Sequence, residues 1–373
     1  MQRAYAPRGL RFLPKLAFII TVGMITAVAS YQAAATDVFT DPVGFYQLQM
    51  QTNSDTFLSM PFSQIPAFRG AVGSVTLPNV ITVGGSPGFS VGQFSTPSTP
   101  GNFMPYYVYM VSGASAGATY TITNNDASTL SVVTSPNGLE GLGSVVAGDL
   151  FQIIPFWTLG TAFPASSVVA STVIPPKQNT QVLFPDLTTA NKNLTPSATY
   201  YFFNSAWRKL NVSNTSNFND VVILPDQYVI VRQNNNATTT NVTLGQVTIP
   251  NAHIGIDSNP SGGSLVQWDN ALCIARPSTF TLDQSGLSNI VAASSTIPPV
   301  TKDQVLVFDN ALQAKNKTAS ATYYFLNNHW RKLNVSNTID FGPSNVFNPG
   351  DGLIFRAYTN SATVRIWNNQ ANY

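Results

Sequence analysis

Charge is scarce in this chain of 373 residues. Asp, Glu, Lys and Arg make up 9% of it, and Glu140 is the only glutamate. A typical globular domain carries about a quarter of its residues as charges. So few charges exclude a coiled coil, a helical bundle and an enzyme with an ion-paired surface of the cytosolic kind. The 18 basic residues against 16 acidic ones also exclude the basic face that nucleic-acid binding needs. Cysteine is nearly absent: Cys273 stands alone, which rules out an intrachain disulfide framework and any multi-cysteine metal site. The two histidines, His253 and His329, have no H-x-x-x-H spacing, so neither a metal nor a cofactor is expected. What is plentiful is apolar surface, at 44% with 11% aromatic residues, punctuated by 25 glycines and 25 prolines. No window beyond the first thirty or so residues shows apolar positions at i, i+3, i+4 and i+7. The expectation is an all-β protein of degenerate repeated β-hairpin units, forming sandwich or barrel-like domains.

The N-terminus has the form of a secretory signal. Arg3, Arg8, Arg11 and Lys15 precede the apolar run Leu16 to Val28, which is short for a membrane span needing about 20 residues. Cleavage is expected after Ala35, which leaves no permanent membrane span in the mature chain and makes the protein secreted or held at the cell surface. With the leader gone, residues 36–173 carry a single base, Arg69, and six acids, whereas residues 174–373 carry 13 bases and 10 acids. Such unlike surfaces are able to dock on each other or on a neighbouring copy.

The body repeats itself. Ile174 to Thr215 aligns without a gap onto Ile297 to Thr338 at an offset of 123, with 26 of 42 positions identical. The shared core reads SATYYFFNSAWRKLNVSNT from Ser197 and SATYYFLNNHWRKLNVSNT from Ser320. One residue later in register, Leu224 to Arg232 matches Asn348 to Arg356. A weaker third copy runs from Tyr106 through Ala118–Thr123 to Ala147–Ile154, where Gly148-Asp149 repeats the turn at Gly350-Asp351. The boundaries expected from this pattern are a leader at 1–35, an N-terminal β domain at 36–173, a first repeat unit with connecting strands at 174–296 and a second unit at 297–373.

Three stretches carry a resemblance: Asp41 to Phe62, Ala147 to Pro164 and the twice-used ATYYF…WRKLNVSNT. They resemble an uncharacterised family of exported bacterial proteins, found as many paralogues in Verrucomicrobia-type genomes. The resemblance implies a bacterial, exported, β-rich envelope or extracellular protein, and it brings no reaction, ligand or catalytic residue.

Candidate chemistry is thin. Gly113-Ala-Ser115-Ala-Gly117 has the spacing of a nucleophile elbow, yet Ala-Thr-Tyr-Thr-Ile-Thr follows it, so it reads as a hairpin turn rather than a strand-to-helix turn. Asp149, Asp351, Asp186 and Asp309 fall at repeated turns, where an aspartate caps backbone amides. The calcium-like start at Asp257 fails because Trp268 stands where a bidentate acid is required. Seven Asn-x-Ser/Thr sequons, Asn193, Asn211 and Asn316 among them, are what an Asn- and Thr-rich chain yields. Catalytic residues are not expected. The aromatic hairpins remain: Trp207, Lys209 and Tyr201 in one copy and Trp330, Lys332 and Tyr324 in the other could form flat surfaces that stack on a sugar ring. Against this, such aromatics also fill sheet cores. The leading expectation is an exported envelope protein that acts by assembly or adhesion, with self-association or envelope polysaccharide as partner. Glycan binding by the hairpins is the alternative, and an outer-membrane barrel or hydrolase comes last.

Overall fold

A computed structural model describes residues 42–95, 105–134, 140–172, 178–187, 195–258, 267–295, 302–358 and 364–370. The leader, Asn193, the paired prolines at 175–176 and 298–299, most of the calcium-like loop and Tyr373 lie outside the described residues. Residues 42–373 form one compact unit, and the described residues are 45% strand and 6% helix. Among the described residues, no helix is long and apolar enough to cross a membrane.

Two strands open the unit, β1 (Val43–Met50) and β2 (Asp55–Leu58). Six more follow: β3 (Phe68–Thr76), β4 (Val80–Val83), β5 (Tyr106–Met110), β6 (Thr119–Asn125), β7 (Thr129–Thr134) and β8 (Leu150–Pro155). After β9 (Trp157–Thr158) and the single-turn helix α1 (Leu159–Ala162) come β10 (Thr180–Pro185), β11 (Pro196–Phe203), β12 (Ala206–Lys209), β13 (Val222–Ile223), β14 (Val229–Gln233) and β15 (Thr239–Gln246). The last part holds β16 (Ala252–Ile256), β17 (Trp268–Cys273), β18 (Phe280–Thr281), β19 (Gln304–Val307), β20 (Ala321–Leu326), β21 (His329–Lys332), β22 (Asn345–Phe347), β23 (Gly352–Ala357) and β24 (Arg365–Asn369).

The aligned sequence segments occupy matching strands. One five-stranded sheet runs β12-β11-β10-β14-β2 and another runs β21-β20-β19-β23-β17. Each is accompanied by two short ribbons, β1-β15 with β9-β13 in the first and β16-β24 with β18-β22 in the second. Strands β3 to β8 close into a barrel in the order β3-β4-β7-β6-β5-β8, and within it β7-β6-β5-β8-β3 repeats the five-strand order once more. The weak third copy is therefore the barrel, with β4 as the added strand that bridges β3 to β7 and removes both free edges.

The expected boundaries do not hold at the sheet level. Residue 173 does not close an N-terminal domain, because β1, β2 and β9 belong with β10 to β15; nor does residue 296 separate two units, because β16 to β18 belong with β19 to β24. The first copy is interrupted: the whole barrel is inserted between β2 and β9, where the second copy has only the short link from β17 to β18. Local spacing could not show this, since β2 finds its partner β14 far along the chain through the pairs Asp55↔Arg232 to Leu58↔Val229.

Local chemistry explains the hairpins. Asn204 and Ser205 link β11 to β12 with φ of 46° and 58°, and Asn327 and Asn328 link β20 to β21 with 53° and 61°. Two consecutive left-handed residues are what a two-residue turn needs to match strand twist, and asparagine tolerates that region best among residues with a side chain. The hairpins then pair Phe202 with Trp207 and Phe325 with Trp330.

Each part has its own core. The barrel is filled by residues such as Tyr120, Ile122, Val132, Phe151 and Ile153, all essentially buried, with Phe68, Phe89 and Phe94 in edge-to-face contact. Trp207 anchors the core of the first copy, and Trp330 with Trp367 anchors that of the second. The two copies meet through equivalent faces: Phe57 and Ile230 of one against Ala271, Leu306 and Ile354 of the other, with Phe57 stacked on Phe308 at 3.7 Å. Tyr228 lies over Gly352, its own counterpart in the alignment, and a Cβ at Gly352 would come within 2.5 Å of the ring. Two hydrogen bonds cross the junction in matching fashion, Ser59 N–H to the Gly350 carbonyl at 2.8 Å and Cys273 N–H to the Asp226 carbonyl at 3.0 Å. Both sheets also carry the same edge pair. Arg232 grips Asp55 at 2.7 and 2.8 Å, and Arg356 grips Asp269 at 2.6 and 2.9 Å, each a two-pronged guanidinium–carboxylate contact.

Candidate functional site

The hairpin residues proposed for stacking are where the sheet cores need them. Trp207 and Trp330 are 0% exposed, and Tyr201 and Tyr324 are buried as well. An indole enclosed on both faces cannot receive a sugar ring, so the stacking platform expected at Trp207 and Trp330 is corrected to a core role. The grouping was also off by one residue. Antiparallel register places Lys209 opposite Tyr200 and Lys332 opposite Tyr323, which puts Tyr201 and Tyr324 on the other face. The tryptophans sit one pair further along on the lysine side, against Phe202 and Phe325.

Lys332 nevertheless reaches a site. On the second copy a cleft of about 520 Å³ is lined by Tyr323 and Lys332 from the hairpin, Asp309 and Asn310 from the loop after β19, and Asn345, Asn348 and Asp351 around β22 and its following turn. Tyr46 of β1 forms its far wall and lies against Gly350, whose φ of +74° and lack of a side chain admit the ring. One sequence difference helps open it. Phe184 packs on Tyr200 at 5.4 Å in the first copy, whereas the position aligned with Phe184 is the smaller Val307, a cleft residue beside Tyr323.

The polar groups of the cleft are held in place. Asp351 accepts from the amides of Asn310 at 2.8 Å and Asn348 at 3.1 Å, and burial raises its carboxyl pKa against those bonds. Asp309 caps its own loop, accepting from the Ala311 N–H at 2.8 Å, which is the turn role expected for it. Burial, and next the charge of Asp351, push the Tyr46 phenol up to about 12, so it stays a donor at neutral pH. Burial likewise raises Tyr323. Lysine, carboxylates, carboxamides and phenols thus converge on one open surface with aromatic faces between them.

The other sequence candidates lie elsewhere. Ser115 is buried in the β5–β6 hairpin, with a strand on either side and no helix following. His329 is exposed, with Nδ1 2.7 Å from Asp340. His253 pairs through Nδ1 with the only glutamate, Glu140, at 3.0 Å. Tyr46, Asn345 and Asn348 escaped the sequence reading: Tyr46 belongs to the cleft only through the long-range pairing of β1, and surface asparagines are common in this chain. No protein-family model, curated protein or solved structure matches the chain.

Proposed function

We propose that the chain is an exported bacterial envelope protein that works by adhesion, holding a polysaccharide in the Tyr46–Tyr323–Lys332 cleft without turning it over. The observation that carries this reading is the cleft itself. Its volume suits a short oligosaccharide, and its carboxamides, carboxylates and lysine match the alternating donors and acceptors of sugar hydroxyls, while tyrosines offer apolar faces to ring C–H groups. The scarcity of charge on the rest of the chain fits contact with neutral polymers, since few ions must be desolvated. The test is a pull-down on insoluble polysaccharides, backed by a glycan array, with Lys332→Ala and Asn345→Ala beside the parent protein. Binding that weakens in both variants supports the reading. Absence of any binding, or variants that bind as the parent does, sinks it.

Self-association has a separate observation in its favour. The β1-β15 ribbon turns Val43, Phe45, Val242 and Leu244 outward, at 67%, 71%, 55% and 65% exposure, with Phe45 directly opposite Leu244. A row of this kind on a two-stranded ribbon suits burial against a second copy. Light scattering of the parent and of Phe45→Ser over a range of concentrations checks it, and a monomer throughout removes it.

A further inference from the structure

A second cavity lies where the barrel and both copies meet, away from the cleft, and its volume is about 50 Å³. Measured to the centres of water-sized molecules, that volume enlarged by a water radius is a chamber about 7 Å across. This is room for a compact head group and too little for an oligosaccharide. Five aromatic residues line it: Tyr107 and Tyr109 of β5, Phe156 just after the barrel, Phe62, and Trp157 of β9.

One polar group in the lining is out of balance. Asp226, in the turn before β14, is 7% exposed, and its Oδ1 has no hydrogen-bond partner. Among the described residues no salt bridge involves it, and the neighbouring charge of Asp257 is of the same sign. A buried carboxylate left in this condition is costly, and proteins keep one where something completes it. The second copy has glycine, Gly350, at the aligned position, so the turn itself does not require an acid. His253 also touches the cavity, but its Nδ1 faces Glu140 at 3.0 Å, which offsets any charge it takes on.

We infer that this cavity binds a small methylated ammonium ion, with the aromatic side chains as its walls and Asp226 as its counter-ion. Aromatic faces attract a cation through the ring quadrupole, most strongly when water is excluded. A methylated ammonium has no N–H groups to satisfy, which suits a lining in which Asp226 Oδ1 is the buried side-chain acceptor without a partner. A primary amine would bring three donors and leave some unpaired, and a neutral ligand of the same shape would leave Oδ1 as it is.

The test is calorimetric titration of the intact protein with tetramethylammonium and with choline, at mildly alkaline pH. The control is 3,3-dimethylbutan-1-ol, the uncharged shape-mimic of choline. Expected are saturable binding of both cations, binding of the alcohol at least about tenfold weaker, and a similar loss in Asp226→Asn, which keeps the shape and removes the charge. Phosphatidylcholine vesicles distinguish a lipid head group from a free ion as the source, since either one presents the same cation. No saturable binding, equal binding of the neutral mimic, or full affinity in a folded Asp226→Asn protein would overturn the inference. The comparison of choline with its mimic uses the parent protein alone, so it stands even if the variant misfolds. Failure of this test leaves the polysaccharide cleft untouched, because the two sites share no residue.

Discussion

Trp207 and Trp330 occupy aligned positions, pair with equivalent phenylalanines and are equally buried, yet their indole N–H groups are treated differently. Trp207 Nε1 donates to the Phe163 carbonyl at 3.3 Å, while Trp330 Nε1 has no partner. The same substitution, tryptophan to phenylalanine, should therefore have unequal costs. Both variants lose the benzo ring, and at about 24 cal/mol per Å³ a cavity of some tens of Å³ costs each roughly 1 kcal/mol. Trp207→Phe also loses a buried hydrogen bond and strands the Phe163 carbonyl, adding about 1 to 2 kcal/mol. Trp330→Phe instead removes an orphaned donor, which returns about 1 to 3 kcal/mol. The expected gap is about 2 to 5 kcal/mol, with Trp330→Phe between neutral and about 2 kcal/mol more stable than the parent. Urea unfolding followed by fluorescence and circular dichroism reads this as a clear fall in midpoint for Trp207→Phe and no fall, or a rise, for Trp330→Phe, at unchanged slope. Equal midpoints, or a greater loss at Trp330, would refute the reasoning, because the N–H partnership is what is taken to set the two costs apart.

Two further outcomes follow from the junctions. Burial pushes the Asp226 carboxyl up to about 6 from its ordinary 3.8, so the folded protein holds this proton more tightly than the unfolded chain does; stability falls as pH rises from about 4 to about 6 and stays lower above. Asp226→Asn should accordingly gain about 3 kcal/mol at neutral pH and nothing below pH 4, as read from urea midpoints across that range. A gain independent of pH would contradict a buried charge. At the face between the copies, Gly352→Ala should cost about 1 to 3 kcal/mol through the clash with Tyr228. Combining it with Tyr228→Ala should restore part of that loss in a double-mutant cycle, and strict additivity would show that the two positions do not touch.

Much of the architecture was legible because the repeat is written in turn chemistry. The twice-used aromatic hairpins and the Gly-Asp turns gave strand positions and the third copy, although the hairpin turns fall at Asn204-Ser205 and Asn327-Asn328, just before Ala206 and His329. The nesting was not legible, since nothing near Asp55 announces a partner at Arg232, and strand pairing at that distance leaves no periodic trace. The site was read in part. Composition pointed to the aromatic hairpins and named Lys332, which lines the cleft, but whether Trp330 faces solvent or core depends on what packs above the hairpin. The cleft was hidden for a related reason: it takes several differences between the copies, Phe184 against Val307, Leu224 against Asn348 and Gln227 against Asp351 among them, together with Tyr46 arriving from another sheet.

The insertion of the barrel has a kinetic side. A chain emerging N-terminus first delivers β1 and β2 early, but β1 cannot pair until β15 has been made, nor β2 until β14. The barrel and the second copy are each contiguous, so their pairings close over shorter stretches of chain, the longest wait in the second copy being that of β16 for β24. The earliest strands thus wait longest. Until β15 arrives, Phe45 and Val43 stand on a strand with both edges open, the condition in which chains pair with the wrong neighbour. Holding the N-terminal strands apart from other copies until the second half is complete is the requirement this topology places on the route by which the protein is made.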